Sequence, residues 1–164
     1  MDILKLIKTR RSIRRFKRSQ ILYKLIEKIL EAGRWAPSGL NNQPWRFLVL
    51  EKEKKDVLAN YTKYSFVVKS ADKVILVFLD KDSSYHYEKD LMAIGACIQN
   101  MLLYIHSLKL GACWLGEILS QRDKIHKFLK IPKNLELKAV IALGNLAIFP
   151  KRGKRRKLKN LILK

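Results

Sequence analysis

The sequence predicts one α+β domain that spans residues 1–164. A chain of 164 residues with 48% apolar residues fits one domain with a real core. Apolar residues recur at helical spacing in residues 21–35 and 90–108, whereas residues 73–79 form the continuous apolar run of a strand buried on both faces. No internal repeat, low-complexity linker or domain boundary is recognisable.

The net charge of +21 is large. Such a surface attracts nucleic acid and anionic lipid non-specifically. The basic residues are spread over nearly every polar segment, however, and no nucleic-acid-binding module is recognisable. We therefore interpret the charge as a solvated basic surface and expect no specific nucleic-acid partner, although its field should favour anionic ligands.

The chain is predicted to open with a helix over residues 3–9. Its apolar residues are expected to face the core: Ile3, Leu4, Leu6 and Ile7. Four arginines and a hydroxyl follow, in the run Thr9-Arg10-Arg11-Ser12-Ile13-Arg14-Arg15-Phe16. Guanidinium groups pair with phosphate oxygens bidentately, and a serine adds a donor, so this run suits a phosphate.

Phe16 is expected to anchor the far end of the arginine run in the core. Ser19 is a candidate N-cap for a second helix that extends to about Trp35. Pro37 then stops the helix, because the residue before a proline avoids the α region.

A rigid polar turn, residues 36–45, follows that helix. It contains one hydroxyl, one glycine and three side-chain amides between Pro37 and Pro44, in the order Ser38, Gly39, Asn41, Asn42 and Gln43. Amides both donate and accept hydrogen bonds, as a ligand with a mixed polar edge requires. The same residues also suit an ordinary connection between a helix and a strand.

The middle of the chain alternates strands and helices. We expect a buried strand over 45–50, a charged helix over 51–60, a helix or covering loop over 61–71, the strand over 73–79 and a surface loop over 80–87.

The helix predicted over 90–108 is apolar nearly all round, so most of its sides should be buried. Gln99 and Asn100 interrupt it, and we expect no membrane span. Ala93, Gly95 and Ala96 leave a smooth strip on which another helix can approach. In a chain this small, these features favour a subunit interface.

The last part of the chain is expected to contain a strand over 112–115, a helix ending at Leu129 and a strand over 138–144. Ser120 with Asp123 resembles a capping box for that helix. A basic extension, 151–164, ends in apolar residues that could dock on another surface.

Cysteine and histidine usage predicts neither a disulfide framework nor a metal site. Cys97 and Cys113 are interpreted as small buried residues, and the three histidines and two cysteines show no metal-ligand spacing. The N-terminus does not have the pattern of a signal peptide. These observations favour a cytoplasmic location.

Two motifs, R-R-S-I-R-x-F at residue 10 and P-S-x-x-N-x-Q-P-W at residue 37, resemble the FMN-dependent nitroreductase family in sequence, order and spacing. The resemblance continues through residues 111–116 and the basic tail, so it covers essentially the whole chain. It implies a three-layer α/β/α sandwich around a mixed, mainly antiparallel sheet. It also implies an intertwined homodimer, with the 90–108 helix near the two-fold axis and the extension wrapped onto the partner.

The resemblance assigns a cofactor role to thirteen residues. Arg10, Ser12 and Arg14, with Arg11 nearby, match residues that hold the FMN phosphate and ribityl chain, and Lys154 and Arg156 match a basic pair that also reaches the phosphate. The turn that the other subunit presents to the flavin is matched by Pro37, Ser38, Gly39 and Asn41. Gln43 matches a supporting amide, and Leu115 and Gly116 match the backbone that faces flavin N5 and O4. Trp114 is interpreted as a core residue.

The implied activity is hydride transfer from NAD(P)H to flavin N5 and on to a nitroaromatic, quinone or similar small oxidant, with ping-pong kinetics. No protein residue is assigned as catalytic, because the cofactor carries the chemistry. Dehalogenation, dehydrogenation and flavin fragmentation use the same flavin site in relatives and stay open. A basic binding module without enzymatic activity is a further alternative.

Overall fold

The structure, a computed structural model, describes residues 2–148, 150 and 153–163. Residues 151, 152 and 164 of the predicted basic extension lie outside the described residues. The helices are α1 (Ile3–Thr9), α2 (Tyr23–Arg34), α3 (Lys52–Leu58), α4 (Ser65–Ser70), α5 (Tyr87–Ser107) and α6 (Arg122–Leu129). The strands are β1 (Phe16–Lys17), β2 (Trp45–Glu51), β3 (Lys73–Asp80), β4 (Leu110–Leu115) and β5 (Leu135–Leu146).

The long strand β5 organises the sheet. Strand β3 pairs along one of its edges and β4 along the other, and β2 continues the sheet beyond β3. Strand β1 pairs with the last residues of β5, beyond Leu143, where the pairing of β5 with β3 stops. All of these pairings are antiparallel, and a parallel bridge between Ser12 and Ala112 makes the sheet mixed, as the sequence predicted.

Both faces of the sheet are covered, which confirms the three-layer sandwich. Along β3, Ile75 and Val77 face a core formed with α2 and α5. The alternate residues Leu76 and Phe78 face a second core formed with α3, α4 and α6. Every residue of β3 is buried, because successive side chains of a strand point to opposite faces.

Helix α2 packs closely on α5 at Gly33. A Cβ atom at this position would lie 2.8 Å from Met101 Cγ and 3.1 Å from Cys97 Sγ. Both cysteines are free and buried, as predicted. The glycine therefore sets the separation of the two helices that cover one face of the sheet.

Two predicted helix caps are wrong. Ser19 does not cap α2: the N-cap is Leu22, without a side-chain hydrogen bond, because the Ile21 amide is held by Asp72 Oδ2 at 2.8 Å and the helix begins only after it. The box formed by Ser120 and Asp123 is also absent. Ser120 lies in a 3₁₀ helix, Glu117–Gln121, which delays the start of α6.

The prediction that the apolar side chains of α1 face the core is also wrong for a single chain. The bounds of the helix are confirmed, but Ile3, Leu4 and Ile7 are exposed. Further large apolar side chains share this exposure: Trp35, Leu40, Met92, Trp114, Ile148, Leu158, Leu161, Ile162 and Leu163. Phe16, by contrast, is buried as predicted. No helix of the described ranges is long and apolar enough to cross a membrane.

Replacing Gly33 with valine should lower the free energy of unfolding of the apo-protein by about 1–3 kcal/mol, because overpacking forces Met101 and Cys97 to move. Denaturant unfolding measures this loss. The control is Lys28→Val, which places the same side chain on an exposed position of α2. Equal losses in the two variants would contradict the close packing of α2 and α5.

Candidate functional site

The arginine run is fixed to the sheet as a short extra strand. The amide of Ile13 donates to the carbonyl of Ala112 in β4 at 2.8 Å. Ile13 is buried, and a Cβ atom at Gly111 would lie 2.8 Å from its Cγ2. Because the run is extended here, the side chains of Ser12 and Arg14 point the opposite way and are exposed.

The exposed side of this run lines a cavity of about 540 Å³, which we call the arginine cavity. Its lining residues are Arg10, Arg11, Ser12, Ile13, Arg14, Arg15, Ile148, Pro150 and Arg155. The structure thus brings together four of the predicted cofactor residues. Arg15 and Arg155 line it as well and were not predicted.

The arginine cavity is strongly positive, and among the described residues no acidic side chain lines it. Two arginines outside the cavity pair with carboxylates, Arg46 with Asp80 at 2.6 Å and Arg122 with Glu136 at 3.0 Å. Burial lowers the pKa of the Arg10 guanidinium, and the charges of Arg155 and Arg11 lower it further. Such a cavity is suited to an anion.

The C-terminal segment closes one side of this cavity. Gly153 lies against the Arg11 guanidinium, where a Cβ atom would be 2.7 Å from Cζ, and Arg155 lines the wall. The predicted pair Lys154 and Arg156 is exposed and does not line it. In an extended chain alternate residues share a side. The sequence therefore did not show whether Lys154 and Arg156 or their neighbour Arg155 would face the cavity.

The predicted turn contains a 3₁₀ helix, Gly39–Asn41, and three residues with positive φ: Leu40 (54°), Asn41 (54°) and Gln43 (47°). Hydrogen bonds hold this backbone. The Gln43 amide donates to Ser38 Oγ at 3.0 Å, and Gln43 Nε2 donates to the Asn41 carbonyl at 3.3 Å. Ser38 and Gln43 therefore fix the shape of the turn itself.

A second cavity, of about 230 Å³, lies between this turn and the first half of α5. We call it the turn cavity. Its lining residues are Pro37, Ser38, Gly39, Lys89, Met92, Ala93 and Ala96. It shares no lining residue with the arginine cavity, and the predicted residues Asn41, Gln43, Leu115 and Gly116 line neither cavity.

A buried carboxylate, Asp90 in the first turn of α5, connects the turn to this helix. Asn42 Nδ2 donates to Asp90 Oδ1 at 2.8 Å and to the Ser83 carbonyl at 2.9 Å. Burial would raise the pKa of Asp90, but hydrogen bonds from Ser84, Asn42 and the amides of His86 and Tyr85 outweigh it, so the pKa lies below its ordinary value. Sequence reasoning missed Asp90, because nothing local distinguishes it from a surface residue of a helix.

The end of β4 differs from the prediction at one residue. Leu115 is buried and Gly116 is exposed, with no atom within 4 Å of a Cβ placed there. Trp114, interpreted from the sequence as a core residue, is 44% exposed. Its neighbours Cys113 and Leu115 face the α3/α4/α6 core, so Trp114 points to the other face of the sheet, where it remains partly accessible to solvent.

A cavity larger than either the arginine cavity or the turn cavity, about 950 Å³, lies elsewhere, between the segment after β1 and helices α3 and α4. It contains none of the predicted site residues. Its carboxylates are already engaged: Glu51 and Asp72 with Lys73, and Asp56 with Lys55. Among the described residues no group of three or more potential metal ligands occurs.

Comparison with known proteins identifies the family. The profile of the nitroreductase family matches residues 7–74 and 52–145. A Methanothermobacter thermautotrophicus protein, provisionally named NADH dehydrogenase/NAD(P)H nitroreductase, is 34% identical over 153 residues, which cover 92% of this chain and 80% of that protein. This chain belongs to the nitroreductase family.

Two further relatives bear on the site. The crystal structure of a Desulfovibrio desulfuricans protein, provisionally assigned as a nitroreductase and solved in complex with FMN, superposes with a TM-score of 0.94 at 46% identity, covering 98% of this chain and 95% of that one. The iodotyrosine deiodinase of Thermotoga neapolitana is 27% identical over 165 residues, covering 85% of this chain and 86% of that enzyme.

Inorganic phosphate should raise the pKa of His106. The imidazole ring of His106 forms a hydrogen bond with Thr9 Oγ1 at 2.9 Å. Burial and the charges of Arg10 and Arg11 lower its pKa. An anion in the arginine cavity offsets those charges, so the protonated ring becomes more favourable. An NMR titration of the ring with and without phosphate measures the change. The same titration in sodium chloride at matched ionic strength is the control, and an unchanged pKa of His106 would contradict anion binding beside Arg10.

Proposed function

We propose that this protein is an FMN-dependent NAD(P)H oxidoreductase of nitroreductase type. The observation that carries the proposal is the arginine cavity, where the guanidinium groups of Arg10, Arg14 and Arg155 and the Ser12 hydroxyl line one space. Its position in a chain 46% identical to a protein crystallised with FMN supports the same cofactor here. The proposed location is the cytoplasm.

The residues present fit a flavin mononucleotide. Several guanidinium groups and the Ser12 hydroxyl form the donor set that a terminal phosphate requires. No G-x-G-x-x-G motif for a dinucleotide occurs in the sequence. Leu115 lies three residues beyond Ala112 on β4, about 10 Å along the strand. The phosphate end and the Leu115–Gly116 backbone are therefore within reach of one ligand.

In this proposal Arg10, Ser12, Arg14 and Arg155 hold the phosphate, with Arg11 beside them. The open space at Gly116 lets the ligand approach the backbone closely. Gln43 keeps its proposed supporting role, and Lys154 and Arg156, which are exposed beside the cavity, are proposed to reach the phosphate. When bound, FMN supplies reversible hydride transfer. The protein binds and orients it, and no side chain is assigned as acid or base.

NAD(P)H and the oxidant bind in turn at the same place, which gives ping-pong kinetics. The oxidant is a small nitroaromatic, quinone or similar compound. A second candidate reaction is reductive removal of halogen, which the 27% identity to an iodotyrosine deiodinase over 85% of the chain favours. Turnover of matched nitro and iodo compounds under NADH and NADPH separates the two.

The proposed assembly is a homodimer in which each cofactor site uses both subunits. The turn precedes Trp45, which pairs with Leu79 and through it with Glu136, whereas Ala112 pairs with Leu143. Seven residues along β5 separate these two registers by about 23 Å. That distance exceeds the length of an extended FMN molecule, so one ligand cannot contact both the arginine cavity and the turn of the same chain.

The surface left exposed by one chain also supports a second copy. Met92 is exposed on α5, and a Cβ atom at Gly95 would meet nothing within 4 Å. The exposed apolar residues of α1 and of the segment 153–163 have no cover of their own. Exposed apolar side chains on several elements are typical of a surface that another subunit covers.

The purified protein should contain non-covalent FMN. Chromatography of the flavin released by denaturation tests the proposal directly, since the arginine cavity offers a site for one terminal phosphate. FAD in the released fraction, or no flavin after reconstitution with FMN, would overturn the proposal.

Arg10→Ala and Arg14→Ala should each weaken FMN binding by about 1.5–3 kcal/mol, because each removes a charge-assisted hydrogen bond. The apo-protein should keep its melting temperature, since neither arginine pairs with a described carboxylate. Flavin fluorescence gives the affinity and thermal unfolding the stability. Arg18→Ala, an arginine outside the cavity, is the matched control. An equal loss of stability and affinity would make the arginines structural.

Mixing an Arg14→Ala chain with an Asn41→Ala chain should restore one tight FMN site in each heterodimer. Both lesions then fall at one site and the other site is intact. Titration with FMN after co-refolding counts the tight sites, and ultracentrifugation gives the assembly. A monomer with full FMN affinity would refute the composite site.

A further inference from the structure

Asp90 uses both oxygens of its carboxylate on two different segments. Oδ1 accepts from Asn42 Nδ2 of the turn at 2.8 Å, across 48 residues of sequence. Oδ2 accepts from Ser84 Oγ at 2.6 Å and from the amides of Tyr85 and His86 at 3.1 Å and 3.2 Å. The side chain is fully buried. One carboxylate therefore ties the turn and the loop before α5 to the same point.

This arrangement requires a carboxylate. Both of its oxygens accept, whereas an amide of the same shape has one acceptor and one donor group. An asparagine at position 90 could accept from Asn42 only by turning its NH₂ group toward the three donors from Ser84, Tyr85 and His86. Either orientation leaves buried donors facing each other, which is costly.

Asn42 is equally constrained. Its Nδ2 faces two acceptors, Asp90 Oδ1 and the Ser83 carbonyl, so the orientation of the amide is determined by its surroundings. Its Oδ1 is buried and has no hydrogen-bond partner among the described residues. The position of this side chain thus depends on the two bonds from Nδ2.

The loop that Asp90 holds also touches the turn directly. Tyr85 packs on Gly39, where a Cβ atom would lie 1.9 Å from its Oη, and Lys89 Nζ lies 5.6 Å above the tyrosine ring. The turn has a strained backbone, with positive φ at Leu40, Asn41 and Gln43. Such a backbone keeps one conformation only when its surroundings hold it.

We propose that Asp90 is a positioning residue that acts through Asn42 to hold the 37–43 turn in the form that contacts the cofactor of the second subunit. This rests on the proposed function, in which that turn completes the FMN site. Asp90 touches neither cofactor nor substrate in this role. Asp90 instead fixes the distance between the turn and α5, which form the two walls of the turn cavity.

The test measures FMN affinity and apo-protein melting temperature for Asn42→Ala, Asp90→Asn and the double variant. We expect the FMN dissociation constant to rise about tenfold in each single variant. The double variant should bind no more weakly than Asp90→Asn alone, because two residues that act in sequence are not additive. Additive losses would overturn the proposal.

Asp72→Asn is the control for general stability. Asp72 is also a largely buried aspartate that accepts from a backbone amide, that of Ile21 at 2.8 Å, and it pairs with Lys73 at 3.5 Å, but it lies before β3, at the end of the strand away from the turn. Its replacement should lower the melting temperature and change the FMN dissociation constant less than twofold. If Asp72→Asn weakens FMN binding as much as Asp90→Asn, the effect is one of general stability and the proposal fails.

Amide hydrogen exchange in the apo-protein gives a readout without cofactor. The amides of Asn41, Asn42 and Gln43 bond to Ser38 and Gly39 within the turn and should exchange about tenfold faster in Asn42→Ala. Because Asn42→Ala keeps the Asp90 carboxylate, it tests the positioning role even if Asp90→Asn does not fold. Unchanged exchange and affinity overturn the positioning role alone, whereas a wild-type protein that binds no FMN overturns the proposed function.

Discussion

The burial of β3 and β5 on both faces is the constraint on which the rest of the molecule depends. Since α2 and α5 cover one face and α3, α4 and α6 the other, these strands accept apolar side chains at nearly every position. Polar chemistry is therefore displaced to the ends of the strands and to the segments beside them. The arginine run, the 37–43 turn and the end of β4 are all of this kind.

The elements that depend on local pattern were predictable from the sequence. Helix α1 has its predicted bounds, and β3 and β5 contain the predicted strands. The caps were not. A tertiary bond from the Ile21 amide to Asp72 lies between Ser19 and the start of α2, and Ser120 lies within a 3₁₀ helix that precedes α6. The prediction that Trp114 is a core residue was also wrong. The alternation of a strand predicts which face a side chain points to but not whether that face is covered there.

The motifs of the candidate site were predictable from the sequence, but the distant residues that complete the site or hold it in place were not. Arg10, Arg11, Ser12 and Arg14 stand together in the sequence and line one cavity. Arg155 joins them from a segment more than 130 residues away, and Asp90 meets Asn42 across 48 residues. Pairs of this kind depend on topology, which a pattern of single residues does not contain. The overall charge of +21 was no guide to this site either, because what distinguishes the cavity is that several guanidinium groups line one space.

The contact between Ile13 and Gly111 has a thermodynamic consequence. A flexible basic loop would lose conformational freedom each time it closed on an anion, and that loss would subtract from the affinity. Here the loss has already occurred during folding, because the run is paired with β4 and its isoleucine is seated over a residue without a side chain. In the proposed complex, loss of FMN would leave this run in place, so rebinding would be limited by encounter and not by rearrangement of the run.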